Sequence, residues 1–321
     1  MNVYHCFYSG FGAREMKSPF LSALIFLFYL PCAFANKEIP IWPNEVSGNN
    51  TFINFSKNPA DNNRAVTKVD SPEIIYVPPA GKNNHSAVLI IPGGGFSYIM
   101  QDLEGLDVAK VLSKKGYSSF VLLYRMPRGG SDVNRNNAFA DVQRAMRLIR
   151  AGAAQYRIAP DQIGVMGFSA GAYLAANVSN DPDATNYPPR DDVDQVSARP
   201  DFAALIYPVL SLQDGVTHNG TRAAMFGKDI SNDIKQHFSQ EDRVTAHTPP
   251  TFLVQALNDG TASPQNALRM FEALRKNKVA VELHLFQQGG HGFGIVKKQN
   301  IPAKNWPTLF SDWQASLVKQ P

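Results

Sequence analysis

The stretch that decides the fold is IGVMGFSAGAYLAA, residues Ile163 to Ala176. An apolar run ends at Gly167, Ser169 follows, and a string of small helix-forming residues begins at Ala170. Gly167-Phe168-Ser169-Ala170-Gly171 fits G-x-S-x-G, a strand, sharp turn and helix in which the glycines relieve crowding around the serine. The pattern predicts that Ser169 stands above the sheet edge, near the positive end of the following helix. A buried turn serine that satisfies backbone groups is the bland reading, and the immediate strand and helix argue against it.

A serine hydroxyl is a poor nucleophile until a base takes its proton, so a histidine oriented by a carboxylate should accompany it. In this strand-turn-helix setting the chain order is Ser, then Asp or Glu, then His. His291 lies in GGHGFG directly after the expected strand VELHLF, where a loop can swing an imidazole over the sheet edge. His284 sits inside that strand, and His85, His218, His237 and His247 precede the expected acid. The acid should follow FLVQAL, where Asn258-Asp259-Gly260 stands; Asp201 and Asp242 come too early. Asp259 is therefore the candidate acid, against a plain Asn-Asp-Gly turn.

A second glycine motif ends an earlier strand. AVLIIPGGGFSYI, Ala87 to Ile99, runs an apolar segment into Pro92 and three consecutive glycines. Such a loop is a tight turn, a phosphate cradle or an oxyanion cradle. Tyr98 stands where a dinucleotide fingerprint wants its last glycine and no G-K-[ST] follows, which weakens the phosphate reading. With the serine site placed, the N–H groups of Gly94, Gly95 and Ala170 become candidate donors to a developing oxyanion.

Along the 321 residues, short apolar runs alternate with amphipathic ones, which predicts a mostly parallel sheet flanked by helices. Strands are expected at Glu73–Val77, Ala87–Ile91, Ser119–Tyr124, Ile163–Met166, Ala203–Tyr207, Phe252–Ala256 and Val281–Phe286. Helices are expected over 138–151, with Arg144, Arg147 and Arg150 on the surface, over 264–276, capped by Ser263, and over 305–319. Residues 180–200 read as a loop, and the Asn- and Pro-rich residues 36–70 as an irregular leader before a domain over 71–321.

At the amino terminus Lys17 precedes the apolar run Leu21–Leu30, then Pro31 and Ala33-Phe34-Ala35, the form of a cleavable export signal. Residues 1–35 are read as that signal with an upstream extension, Met16 being the favoured start, and the chain as periplasmic or secreted. The run is too short to favour stable membrane insertion. Cleavage after Ala35 removes both cysteines, Cys6 and Cys32, so neither a thiolate nor a cysteine-held metal is expected in the mature chain. A net charge of +4 without a basic stripe argues against nucleic acid.

These segments resemble the α/β-hydrolase serine esterases, and more narrowly the exported carbohydrate esterases that include acetyl xylan esterases and the bifunctional deacetylase and feruloyl esterases. The resemblance rests on IPGGGF, Glu104-Gly105, YRMP at Tyr124, RIAPDQIGVMGFSAGAYLAA, RPDFAALIYPV, TPPTFLVQALND and GGHGFG, and it runs from about Lys68 to the end of the chain. Pro92 replaces the histidine common in lipase-like relatives, which favours the carbohydrate branch. Asp-Gly-Thr-Ala-Ser-Pro replaces a usual Val-Pro pair after the acid, read here as a changed cap with Asn266 keeping its spacing from Asp259. The resemblance implies hydrolysis of carboxylic esters, acetyl groups on a xylan-type saccharide above all, without metal or organic cofactor. A serine peptidase of the prolyl-oligopeptidase kind and a catalytically dead fold used for binding are the rivals.

Overall fold

The structure is a computed structural model that describes residues 36–44, 50–56, 63–295 and 301–318. The expected export signal at 1–35 lies outside the described residues. Ten strands are described: β1 (Lys37–Pro40), β2 (Thr51–Asn54), β3 (Arg64–Lys68), β4 (Glu73–Val77), β5 (Ala87–Ile91), β6 (Ser118–Leu123), β7 (Ile163–Phe168), β8 (Ala203–Ile206), β9 (Thr251–Ala256) and β10 (Val281–Phe286). Eight form one sheet in the order β1-β4-β6-β5-β7-β8-β9-β10, while β2 and β3 pair apart from it. Pairing is parallel from β6 through β10 and antiparallel at β1–β4 and β4–β6.

The helices are α1 (Asp107–Lys114), α2 (Asp132–Ala151), α3 (Ala153–Tyr156), α4 (Ala170–Asn180), α5 (Asn219–Phe226), α6 (Asn232–Phe238), α7 (Gln265–Lys276) and α8 (Trp306–Val318). Every residue of β5, β6, β7, β8 and β9 is buried, the outcome for parallel strands covered on both faces and the reason their sequences are near-continuous apolar runs, broken only by residues such as Ser118, Ser119, Thr251 and Gln255. This is the α/β-hydrolase architecture, with the loops after β5, β7, β9 and β10 gathered at the carboxyl edge of the parallel strands.

Three expectations need correction. Residues 36–70 are not wholly irregular: β1 adds to β4 with Lys37 opposite Tyr76, and β2 pairs with β3. Edge pairing of so short a strand uses backbone groups and leaves little side-chain pattern to read. Helix α2 begins at Asp132, because Ser131 accepts the Asn134 N–H at 3.2 Å and its first turns are polar; apolar periodicity starts only at Ala138. Arg144 is buried rather than on the surface, at 2% exposure. Ser263, expected to cap α7, accepts the Gln265 N–H on its Oγ at 3.4 Å, while Pro264 occupies the position before the first helical residue. The 180–200 segment is a loop with one short helical turn at Asp192–Gln195.

Candidate active site

Ser169 occupies the turn between β7 and α4 with φ +49° and ψ −119°, a conformation sparsely populated by any residue with a Cβ. Its N–H donates to Ile206 O at 3.0 Å, and the Val209 N–H donates to its carbonyl at 3.1 Å. The turn closes only because Gly167 and Gly171, two residues to either side, lack side chains. A Cβ on Gly167 would lie 2.5 Å from Ala172 Cα, and one on Gly171 would lie 2.2 Å from Ile91 O.

Asp259 follows β9 and His291 follows β10, so the parallel pairing of these strands delivers both residues to the same edge. The His291 Nδ1–H donates to Asp259 Oδ2 at 2.8 Å, and Ser169 Oγ lies 2.8 Å from His291 Nε2. With the proton held on Nδ1, Nε2 is left as the base facing the serine hydroxyl. Asp259 is fixed in turn. Its Oδ1 accepts the N–H groups of Thr261 and Ala262 at 2.8 and 2.9 Å, and its Oδ2 also accepts Gln255 Nε2 at 3.1 Å. The Asp-Gly-Thr-Ala-Ser-Pro segment thus caps the carboxylate with its own backbone. Asn258 anchors the histidine loop, its Oδ1 accepting from Gly289 and Gly290 N–H at 2.9 and 2.8 Å.

The glycine loop lies against the same serine. Gly93 N–H donates to Glu104 Oε2 at 2.8 Å, and Gly94 accepts the Ser97 N–H at 3.0 Å with a φ of +128°. Gly94 and Gly95 line a cavity of about 380 Å³ together with Ser169 and His291, and among the described residues their N–H groups meet no protein acceptor. Ala170 is the first residue of α4, so its N–H lies outside the helical ladder. A larger hollow of about 1100 Å³, bordered by Glu241 and Arg269, holds neither the serine nor the histidine.

Three residues of the site escaped the sequence reading. Glu104, only 3% exposed, accepts the Tyr207 hydroxyl at 2.9 Å through Oε1, and that hydroxyl accepts the Gly294 N–H at 3.1 Å. Burial raises the Glu104 carboxyl above its ordinary range, against the opposing pull of Gly93 N–H and the Tyr207 hydroxyl. Burial and the neighbouring Glu104 charge push the Tyr207 phenol far up, which keeps it a neutral donor. His218 lines the cavity as well. One signal for Glu104 was present: it stands at the i, i+4 and i+8 spacing with the buried Val108 and Leu112, a carboxylate on an apolar face.

Among the described residues no group of three His, Cys, Asp or Glu side chains is placed to hold a metal ion, and no helix is long and apolar enough to cross a membrane. The family model described as BD-FAE matches residues 74–274. The chain belongs to the BD-FAE family. The match spans β4 to α7 and so contains the glycine loop, Ser169 and Asp259, while His291 lies beyond it. Among relatives of this BD-FAE chain, an acetylxylan esterase of Xylanibacter ruminicola is 31% identical over 250 residues, covering 76% of the chain and 47% of the relative. An endo-1,4-beta-xylanase B of Butyrivibrio fibrisolvens is 30% identical over 228 residues, covering 70% of the chain and 34% of the relative. The chain spans about half the length of these curated relatives, or less. Among solved structures, the acetyl ester-xyloside bifunctional hydrolase of Caldicellulosiruptor lactoaceticus has a TM-score of 0.74 and 31% identity, covering 88% of this chain and 96% of that one. The carboxylesterase Cest-2923 of Lactobacillus plantarum, at a TM-score of 0.64 and 21% identity over 84% of this chain and 97% of that one, shares the fold.

Proposed function

We propose that this chain is an exported serine esterase that removes acyl groups, acetyl above all, from xylan-type saccharides. The observation that carries the reading is the relay Asp259–His291–Ser169, with both hydrogen-bonded gaps at 2.8 Å. In the first step His291 Nε2 takes the proton of Ser169 as Oγ attacks the ester carbonyl, and Asp259 stabilises the imidazolium that forms. Negative charge on the carbonyl oxygen is met by the N–H groups of Gly94, Gly95 and Ala170, donors worth on the order of 3 kcal/mol each in the transition state. His291 returns its proton to the departing alcohol. Water, deprotonated by the same imidazole, then releases the acid from the acyl-enzyme.

The saccharide assignment is supported by the names of the relatives, and export by the signal-like run in residues 1–35. Three measurements test the proposal. Hydrolysis of 4-nitrophenyl acetate by Ser169→Ala should fall by a factor on the order of 10³ or more, and equal rates would remove Ser169 from the mechanism. Acetate released from acetylated xylan by the native protein supports the substrate class, whereas release from simple esters alone overturns it. Amino-terminal sequencing of the mature protein should begin at Asn36.

A further inference from the structure

His218 stands just before α5 and caps it with its ring. Nδ1 accepts the Thr221 N–H at 3.2 Å and lies 2.8 Å from Thr221 Oγ1, which is buried. A nitrogen that accepts from a backbone N–H carries no proton of its own, so the neutral ring holds its hydrogen on Nε2. Burial, and after it the charge of His291, lowers the pKa of His218, in keeping with the neutral form. The Cε1 corner of the ring, between its two nitrogens, faces the glycine loop. A Cβ on Gly95 would lie 3.7 Å from His218 Cε1, and one on Gly220 would lie 3.0 Å from Cε1 and 3.7 Å from both Nδ1 and Nε2. His218 lines the cavity that contains Ser169 and His291, and among the described residues its ring hydrogen bonds run through Nδ1 while Nε2 meets no protein acceptor.

We propose that His218 is a specificity-determining residue: its Nε2–H donates to a hydroxyl or ring oxygen of the alcohol half of the ester, so that acylated sugars are preferred over simple aryl or alkyl esters. The inference rests on the esterase reading and deepens it. The chemistry chooses the alcohol half, because an acetyl methyl offers no acceptor and would leave the N–H desolvated and unpaired. A site built to hydrogen-bond one substrate rejects an analogue that lacks the partner for the same reason. The cap fixes the ring in place, so little side-chain freedom is lost on binding.

The experiment compares kcat and KM on a mono-acetylated methyl xyloside and on 4-nitrophenyl acetate for the native enzyme, His218→Asn and His218→Ala. Asparagine retains a cap for α5 but cannot place a donor where Nε2 stands; alanine removes both. The ratio of sugar-ester to aryl-ester kcat/KM should fall about tenfold in both variants, through KM for the sugar ester, as loss of one neutral hydrogen bond predicts. A ratio unchanged in His218→Asn overturns the proposal, and so does a fall confined to His218→Ala, which would make the residue a cap and nothing more. The rate at which a fluorophosphonate labels Ser169 separates this failure from that of the esterase reading. A native protein that is neither labelled nor active on either ester defeats the reading itself, whereas a labelled, active enzyme with an unchanged ratio defeats only the role of His218.

Discussion

Glu104 accepts the Gly93 N–H through one carboxylate oxygen and the Tyr207 hydroxyl through the other, and Tyr207 holds the Gly294 N–H of the histidine loop. One buried side chain thereby sets the glycine loop and the base relative to each other. Glu104→Gln preserves the shape but turns one acceptor into a donor that faces either Gly93 N–H or a hydroxyl already committed to Glu104, so kcat should fall about tenfold. The pH dependence of stability carries its own sign. Because burial raises the folded-state pKa, the contribution of Glu104 is fully present below its unfolded value of about 4.3 and is lost as pH rises through the raised folded value. The melting temperature of the native protein relative to Glu104→Gln should therefore decline as pH is raised above about 4.3. Thermal melts across that range check it, and a gap that widens with pH would refute the buried, proton-favouring account.

At the scale of the element, the glycine loop shows why side-chain patterns were enough to find the site but not to complete it. Ser169, Asp259, His291 and the glycines were legible because each follows the carboxyl end of a segment with strand character, where sequence order and strand order give the same answer. Glu104 and Tyr207 were not, since their roles depend on a contact between residues 103 positions apart, and His218 precedes the acid in the chain, outside the Ser, Asp, His order that marks the others. The loop itself is shaped by backbone. Gly94 holds φ +128°, and a Cβ there would lie 2.1 Å from Tyr98 O, so Gly94→Ala must move the loop although it deletes no donor. We expect kcat for 4-nitrophenyl acetate to fall about 100-fold with KM changed far less, as when one oxyanion donor is withdrawn. Steady-state kinetics test this, and a loss expressed in KM alone would place the loop in ground-state binding instead.

Across the whole molecule, the parts least visible in the sequence are those that bind its outer segments to the sheet. The edge strand β1 and the 180–200 loop both converge on Arg144, whose guanidinium donates to Ile41 O at 2.8 Å, to Asp191 at 2.6 Å and to Asp194 at 3.0 Å. A period of arginines on an amphipathic helix reads as a solvated face, yet burial of the Arg144 and Asp194 side chains to 3% and 1% exposure makes this pair an internal clamp. Burial raises the Asp194 carboxyl, but the Tyr187 hydroxyl, the Arg190 N–H and Arg144 together hold it below its ordinary value. A depressed folded pKa contributes stability above the unfolded value of about 3.9 and loses it as pH falls through the lower folded value. Arg144→Met removes the nearer cation and leaves the buried Asp194 to Arg147 at 3.8 Å, the Tyr187 hydroxyl and the Arg190 N–H, so the variant should be less stable by about 3 kcal/mol at neutral pH. Below about pH 3.9 the gap should narrow, because protonation removes from the native protein the interaction that the variant already lacks. Urea unfolding of both proteins at neutral and acidic pH measures the difference, and a gap that stays constant with pH would show that Arg144 acts through packing and its bond to Ile41 rather than through the carboxylates.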